Sequence, residues 1–320
     1  MKAISLGGKK GKGLLSKGSL IIVLLAICVV LAIVRPSFIS YQNLFNLLRS
    51  CSITGIVAIG MTFVIITGGI DLSVGSVVGF SSVLCGVFMK EMGMAIPAAI
   101  ILTLLLCLAV GALNGILVHK GKIPAFIATL GSMQMFRGMA MLISNGRTLP
   151  GMPSEFTEFA QVKIAGLPSL FIVWIAVIIV SAYLLRSTRY GRNIYSVGSN
   201  MESARLSGIK LGPTICWTYM INALFAAIAG LLLTARITSA QPAAGEGYEM
   251  EAIAAAVIGG ASLSGAEGSV GGTVIGAIIM AVLTNGGNLL GINSFTMNIV
   301  IGALVVIAVL IEKNKKPSIA

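Results

Sequence analysis

Residues 69–75, GIDLSVG, place one carboxylate where a charge is hardest to hold. The 17 residues from Cys51 to Thr67 carry no charge, and neither do the 18 from Leu72 to Met89. Three kinds of chemistry suit Asp71 in that setting. It can accept hydrogen bonds from the free amides at the start of a following helix, and glycines beside it let the chain turn and expose those amides. It can line a polar path for a solute, a role that Ser73 two residues later would share. It can carry a proton. Capping and lining are compatible with each other.

Arg137 is the second charge in apolar sequence. It stands about eight residues short of Asn145, which at helical rise is about 12 Å below a membrane surface. A charge at that depth costs several kcal/mol unless it is paired or snorkels outward. The expected partner is Glu249 or Glu251, although five donors also suit the carbonyls of a broken helix. The other polar groups in the apolar runs are few: Asn114, Gln134, Asn222, Asn285, Asn288 and Asn298. They can meet a polar solute or simply bridge helices. Asn114, Asn285 and Asn288 join Asp71, Ser73 and Arg137 as candidate path or gate residues. His119 is the one histidine, and the five cysteines are scattered, so neither a metal site nor a disulfide frame is expected. No nucleophile–base constellation supports an enzyme.

The elements that must position these residues follow from composition. The 320 residues are 57% hydrophobic and 10% charged. Soluble domains carry about a quarter charged residues, so this is a membrane protein. Ten apolar runs are long enough to consider as spans: 18–34, 51–67, 72–89, 94–118, 123–144, 168–185, 214–235, 250–264, 270–289 and 295–311. Residues 41–50 have leucines at helical spacing, as an interfacial helix or an extension of the second span. The fold class is therefore an all-α polytopic membrane protein of about ten transmembrane helices. A single transmembrane domain covers 18–311, between tails at 1–17 and 312–320. Both ends fall on one side, and placing them in the cytoplasm puts 15 of the 22 basic residues there. That concentration in short connections also accounts for the net charge of +12 without nucleic acid. The N-terminal lysines and first apolar run read as an uncleaved helix rather than a secretory signal.

Two patterns stand out against this frame. GIDLSVG (69–75) is echoed by GAEGSVG (265–271), each after a glycine-interrupted apolar stretch and each at the inner end of a span. The echo is either chance in a chain with 39 glycines or a structural repeat, whose paired breaks commonly mark a transport path. Recurrent Gly-x3-Gly spacings (75/79, 111/115, 272/276, 287/291) indicate a closely packed bundle. The second pattern is the longest inner connection, 186–213. There Asn200 can cap a short helix, Glu202 sits in its first turn and Gly208 can end it. On the outer side, 236–251 carries Gln241, Glu246, Tyr248, Glu249 and Glu251, which suit a gate, a receptor contact or a plain solvated loop.

YSVGSNMESARLSGI (195–209) resembles the ATPase-contacting loop of ribose-type ABC importer permeases. MTFVIITGGIDLSVGS, KIPAFIATLGSMQMFRGMAM and SAQPAAGEGYEMEAIAAAVIGGASLSG resemble further segments of the same family, in the same order, over residues 18–311. The resemblance implies a permease subunit for a monosaccharide such as ribose, in a bacterial cytoplasmic membrane. It implies three partners: a second permease subunit, often a second copy; an ATPase with two nucleotide-binding domains; and an extracytoplasmic sugar-binding protein. Asn200, Glu202, Ser203, Ala204, Arg205, Leu206, Ser207 and Gly208 become candidate ATPase contacts. No cofactor is expected in this chain, because ATP and magnesium would sit on the ATPase. The sequence agrees on one point: it has no phosphate loop, since GLLSKGS (13–19) lacks the required lysine. The alternative is an ion-coupled secondary transporter using Asp71 or Arg137.

Overall fold

The computed structural model describes residues 11–315, with side chains placed for 18–310. The two tails read from the sequence, 1–17 and 312–320, fall largely outside the described residues. In order, the helices are α1 (Gly11–Val34), α2 (Tyr41–Ile66), α3 (Val74–Gly86), α4 (Ile96–His119) and α5 (Ala125–Ile143). They continue with α6 (Ser154–Gln161), α7 (Ser169–Ser187), α8 (Arg189–Ser199), α9 (Met201–Leu206) and α10 (Leu211–Ile237). The last three are α11 (Tyr248–Ile258), α12 (Val270–Leu289) and α13 (Ser294–Lys315). A 3-10 turn at Pro36–Ile39 joins α1 to α2, and there are two pairs of two-residue strands, including Leu149–Pro150 against Ser239–Ala240. Seven helices are long and apolar enough to cross a bilayer: α2, α3 with its π-helical extension to Glu91, α4, α5, α7, α10 and α12. Residues 18–34 and 294–310 are shorter helices of the same character. The protein is an all-α, multi-pass membrane protein.

Apolar helices serve two different roles. α2 is the centre: Ile53, Ile56, Val57, Ile59, Met61 and Phe63 are all within 1% of full burial, enclosed by α7, α10, α11 and α12. α4 and α5 instead expose Ile101, Leu105, Phe126, Ile127 and Leu142, the surface that lipid tails would cover. Small residues set the packing distance. At Gly111 and Gly115 of α4, a Cβ would lie 2.5 Å from the Tyr219 carbonyl oxygen and 2.5 Å from Cys216 Cα on α10. Polar bridges then fix register between α2 and α12. Thr62 and Thr273 hydroxyls meet at 2.6 Å, and Asn43 and Asn285 exchange side-chain bonds at 3.0 and 2.9 Å.

The structure takes one of the two readings left open for residues 41–50, and two other elements differ from the sequence reading. Residues 41–50 are the first turns of α2, started by Ser40, whose hydroxyl accepts from the Asn43 amide at 3.3 Å. The stretch expected to span at 250–264 is the 11-residue α11, which stops at Gly259 before the positive-φ Gly260. At about 1.5 Å per residue it is too short to cross alone. The connection at 186–213 holds two helices rather than one. Its first, α8, is capped by the Thr188 hydroxyl accepting from the Gly191 amide at 3.1 Å, and it buries Gly191, Ile194 and Val197. That every-third-residue pattern was the available signal.

α8 and α9 lie at one end of the bundle, beside the C-terminus of α4 and the N-terminus of α10. The loop 238–247 follows the other end of α10, about 40 Å away along a 27-residue helix.

Candidate functional site

The chain between α2 and α3 is a helix break inside the bundle. Gly68 turns it with φ +79°. Asp71 in that break is 1% exposed. One carboxylate oxygen accepts from the Ser73 amide at 2.9 Å and from the Ser73 hydroxyl at 2.6 Å; the other accepts from the Asn222 side-chain amide at 2.9 Å. Asn114 donates to the Ser73 hydroxyl at 2.9 Å, and Ser132 donates to Asn114. Thr129 accepts from the Leu72 amide at 3.1 Å and donates to the Ile70 carbonyl at 3.2 Å. The buried, non-helical backbone of the break is thus bonded by Thr129 of α5 and by Asp71 itself, while side chains of α4 and α10 hold Ser73 and Asp71; such backbone at membrane depth needs partners of this kind. Asp71 closes the turn before α3. It does not bond the first-turn amides of that helix, which begins without a side-chain cap.

Ser73 and Asn114, both read as candidates, meet at Asp71. Asn285 pairs with Asn43 and Asn288 is exposed, so neither joins the cluster. Ser132 and Thr129 were not singled out, because a hydroxyl on an apolar helix does not reveal which neighbour it faces. Tyr219, on α10 near Asp71, was missed for the same reason. Its hydroxyl and the Asn222 amide oxygen are buried without a hydrogen-bond partner among the described residues.

Arg137 organises a second cluster. Its guanidinium donates to the carbonyls of Pro242 at 2.5 Å, Ala244 at 3.0 Å and Gly75 at 3.1 Å. The expected ion pair with Glu249 or Glu251 is not formed. Among the described residues the one ion pair is Arg205–Glu202. The reason is steric: Gly75 and Gly79 present no side chain, so the 242–245 backbone lies directly on α3 and its carbonyls reach the guanidinium first. Glu249 nevertheless lies beside this contact: a Cβ on Gly75 would sit on its carboxylate oxygen. Beside this loop, the Gln241 amide donates to the Ser82 hydroxyl at 3.1 Å. Tyr248, Glu249 and Glu251 form the first turn of α11, and Glu246 is exposed in the loop before it.

At the opposite end, α9 is a six-residue helix built from local signals. The Asn200 side chain accepts from the Ser203 amide at 2.8 Å. Arg205 donates to Glu202 at 2.5 and 3.0 Å, which holds the Glu202 carboxyl below its usual range. The helix ends at Ser207, and Gly208 follows with φ +82°, its amide donating to the Arg205 carbonyl at 3.0 Å. Ala204 anchors one face, whereas Met201 and Leu206 are 48% and 74% exposed. Clefts of about 480 and 550 Å³ flank the helix, lined in part by Ser203 and Ser207 on one side and Gly208 and Trp217 on the other.

The profile of a family described as "Branched-chain amino acid transport system / permease component" matches residues 43–309. The ribose import permease protein RbsC of Bacillus subtilis is 41% identical over 294 residues, covering 91% of both chains. That of Escherichia coli K12 is 40% identical over 307 residues, covering 92% of this chain and 93% of the relative. The xylose transport system permease protein XylH of Haemophilus influenzae is 34% identical, covering 92% and 96%. No solved structure matches. With the profile and these relatives spanning most of the chain, the protein belongs to the ribose-type ABC importer permeases, as a sugar-transport membrane subunit.

Proposed function

We propose that this chain forms the translocation path of an ATP-driven monosaccharide importer in a bacterial cytoplasmic membrane, with both termini cytoplasmic. The short apolar helices α1 and α13, and α11 with the loop after it, complete about ten membrane-embedded segments around the seven long spans. Two copies make the permease dimer. An ATPase with two nucleotide-binding domains, which would carry the ATP and magnesium, docks on residues 200–208. A sugar-binding protein delivers substrate at the end that carries Gln241, Glu246 and Tyr248. Ribose and xylose are the first substrates to test, from the names of the relatives.

The observation that carries this reading is α9. This six-residue helix, capped at both ends, buries only Ala204 against the bundle and leaves an apolar flank, Met201 and Leu206, exposed. It suits a partner protein. The sparse polarity of the interior fits the same reading, because a receptor-fed path that bound sugar tightly would release it slowly. Asp71, Ser73 and Asn114 would line the inner part of the path, and Arg137 would hold its outer gate.

One observation favours the alternative, an ion-coupled transporter: Asp71 is buried, and among the described residues no cation lies within ion-pair distance of it. Proteoliposomes separate the two. Reconstituted with ATPase and binding protein, the complex should accumulate labelled ribose or xylose only with ATP inside the compartment that holds the ATPase. Uptake driven by a proton gradient alone, in the absence of the ATPase, would favour the alternative.

A further inference from the structure

The chain that leads into the first echoed segment touches the second. The Ala266 amide donates to the Ile66 carbonyl at 2.9 Å, so the break after α2 and the loop between α11 and α12 are joined backbone to backbone. A Cβ on Gly265 would lie 3.1 Å from the Gly68 amide nitrogen. The last turn of α8 closes over this seam. A Cβ on Gly198 would sit on the Ile66 carbonyl oxygen and 2.7 Å from the Ala266 nitrogen, and the Gly198 carbonyl is itself 2.7 Å from a Cβ on Gly265. The Tyr195 hydroxyl, one turn earlier, donates to the Gly268 carbonyl at 2.9 Å. From the seam the path to Asp71 is short. The Gly69 amide bonds the Val64 carbonyl at 3.1 Å, and a Cβ on Gly69 would lie 2.7 Å from the Tyr219 hydroxyl.

We infer that Gly198 is the point at which movement of α8 and α9 is passed to both helix breaks, and through Ile66–Gly69 to the turn that holds Asp71. Packed main chain cannot absorb a displacement by changing rotamers, as a layer of long side chains would. A shift of α8 therefore moves the end of α2 and the 260–269 loop together. Glycine at 198 permits this contact, and the Tyr195–Gly268 bond keeps the second break from sliding away. Gly198 and Tyr195 are positioning residues in this scheme, because neither touches solute. The inference rests on the proposed ATP-driven function and adds the route by which the ATPase end would reach the interior.

The test uses the full complex in proteoliposomes, with ribose or xylose as probe, and measures sugar accumulated per ATP hydrolysed. Gly198→Ala and Tyr195→Phe are compared with the wild type at matched protein incorporation. Tyr195→Phe removes one hydroxyl and keeps the ring, so it remains informative if Gly198→Ala fails to insert. The ratio should fall about fivefold or more in Gly198→Ala, and about twofold or more in Tyr195→Phe, while ATP hydrolysis continues. A merely structural role would lower both activities together and leave the ratio unchanged. An unchanged ratio in every variant that inserts overturns the inference. Absence of ATP-driven uptake in the wild type overturns the proposed function instead.

Discussion

The Arg137 guanidinium is 3.0 Å from the Ala244 carbonyl, and it binds this loop to α3 and α5 without an ion pair. Three carbonyls from two segments converge on one cation. A planar fork of donors suits that arrangement better than a single ammonium does.

Removing the fork leaves buried carbonyls without donors, each costing about 1–3 kcal/mol. Arg137→Met should therefore lower the thermal stability of the detergent-solubilised protein by several degrees and abolish most uptake. Arg137→Lys should recover only part of either. Because Glu249 is a neighbour and not a direct partner, a double-mutant cycle of Arg137→Met with Glu249→Gln should show a coupling energy of no more than about 1 kcal/mol. A larger coupling energy would show that Glu249 is a direct partner.

The residues of this cluster explain what sequence can and cannot disclose. Arg137 was recognisable as a charge needing compensation, because depth alone imposes that need. That backbone carbonyls could serve it was also readable, but which ones was not, because carbonyls carry no residue identity and every position has one. Asp71 and Asn114 were visible as rare polar groups, and Asn200, Glu202 and Gly208 as local capping signals that need no tertiary information. Ser132 and Thr129 were hidden among helical hydroxyls that usually bond their own helix. Hydropathy found the long spans but could not distinguish the enclosed α2 from the lipid-facing α4, since both are apolar all round. It also overestimated 250–264, where alanine and glycine are apolar enough for a span and yet turn at Gly259–Gly260.

Gly208 ends α9 in a left-handed conformation that a β-branched residue adopts only under strain. Gly208→Val should insert normally, since nothing lies within 4 Å of a Cβ there. Uptake and sugar-stimulated ATP hydrolysis in the assembled complex should both fall about tenfold, given the roughly 1–2 kcal/mol that such a conformation demands of a side-chain-bearing residue. Gly208→Asn, which tolerates positive φ, should restore most of both. Full activity in Gly208→Val would remove α9 from the docking surface.

Orientation follows from where the basic residues lie. Arg186, Arg189, Arg192, Arg205 and Lys210 all sit in or beside α8 and α9. On the positive-inside rule, that end is proposed to be the cytoplasmic one. Reporter fusions after Lys210 and after Lys313 should read cytoplasmic, and one after Glu246 should read external. An external reading at Lys210 would invert the proposed arrangement.

Asp71 offers the sharpest test of a carboxylate's role, because its partners divide cleanly. Ser73 directs an amide and a hydroxyl at one oxygen, and Asn222 directs a side-chain amide at the other. In Asp71→Asn, the new amide oxygen can take the place of the oxygen facing Ser73. The new NH2 group then faces Asn222, whose own amide oxygen is buried and unpartnered. Rotation of the Asn222 amide by half a turn would present that oxygen as the acceptor and restore this bond, with the Asn222 NH2 moved to where the oxygen had been. Asp71→Asn should therefore retain at least about half of wild-type uptake, with stability within about 1 kcal/mol. Asp71→Ala strands the Ser73 and Asn222 donors at once, at about 1–3 kcal/mol each, and should lose most uptake and much of the folded yield. Adding Asn222→Ala to Asp71→Asn removes the rotating acceptor and should undo the tolerance. The measurements are ATP-driven uptake at matched protein level and melting temperature in detergent. If Asp71→Asn folds like the wild type and yet transports nothing, the carboxylate's charge or proton is itself required, and weight returns to the ion-coupled mechanism.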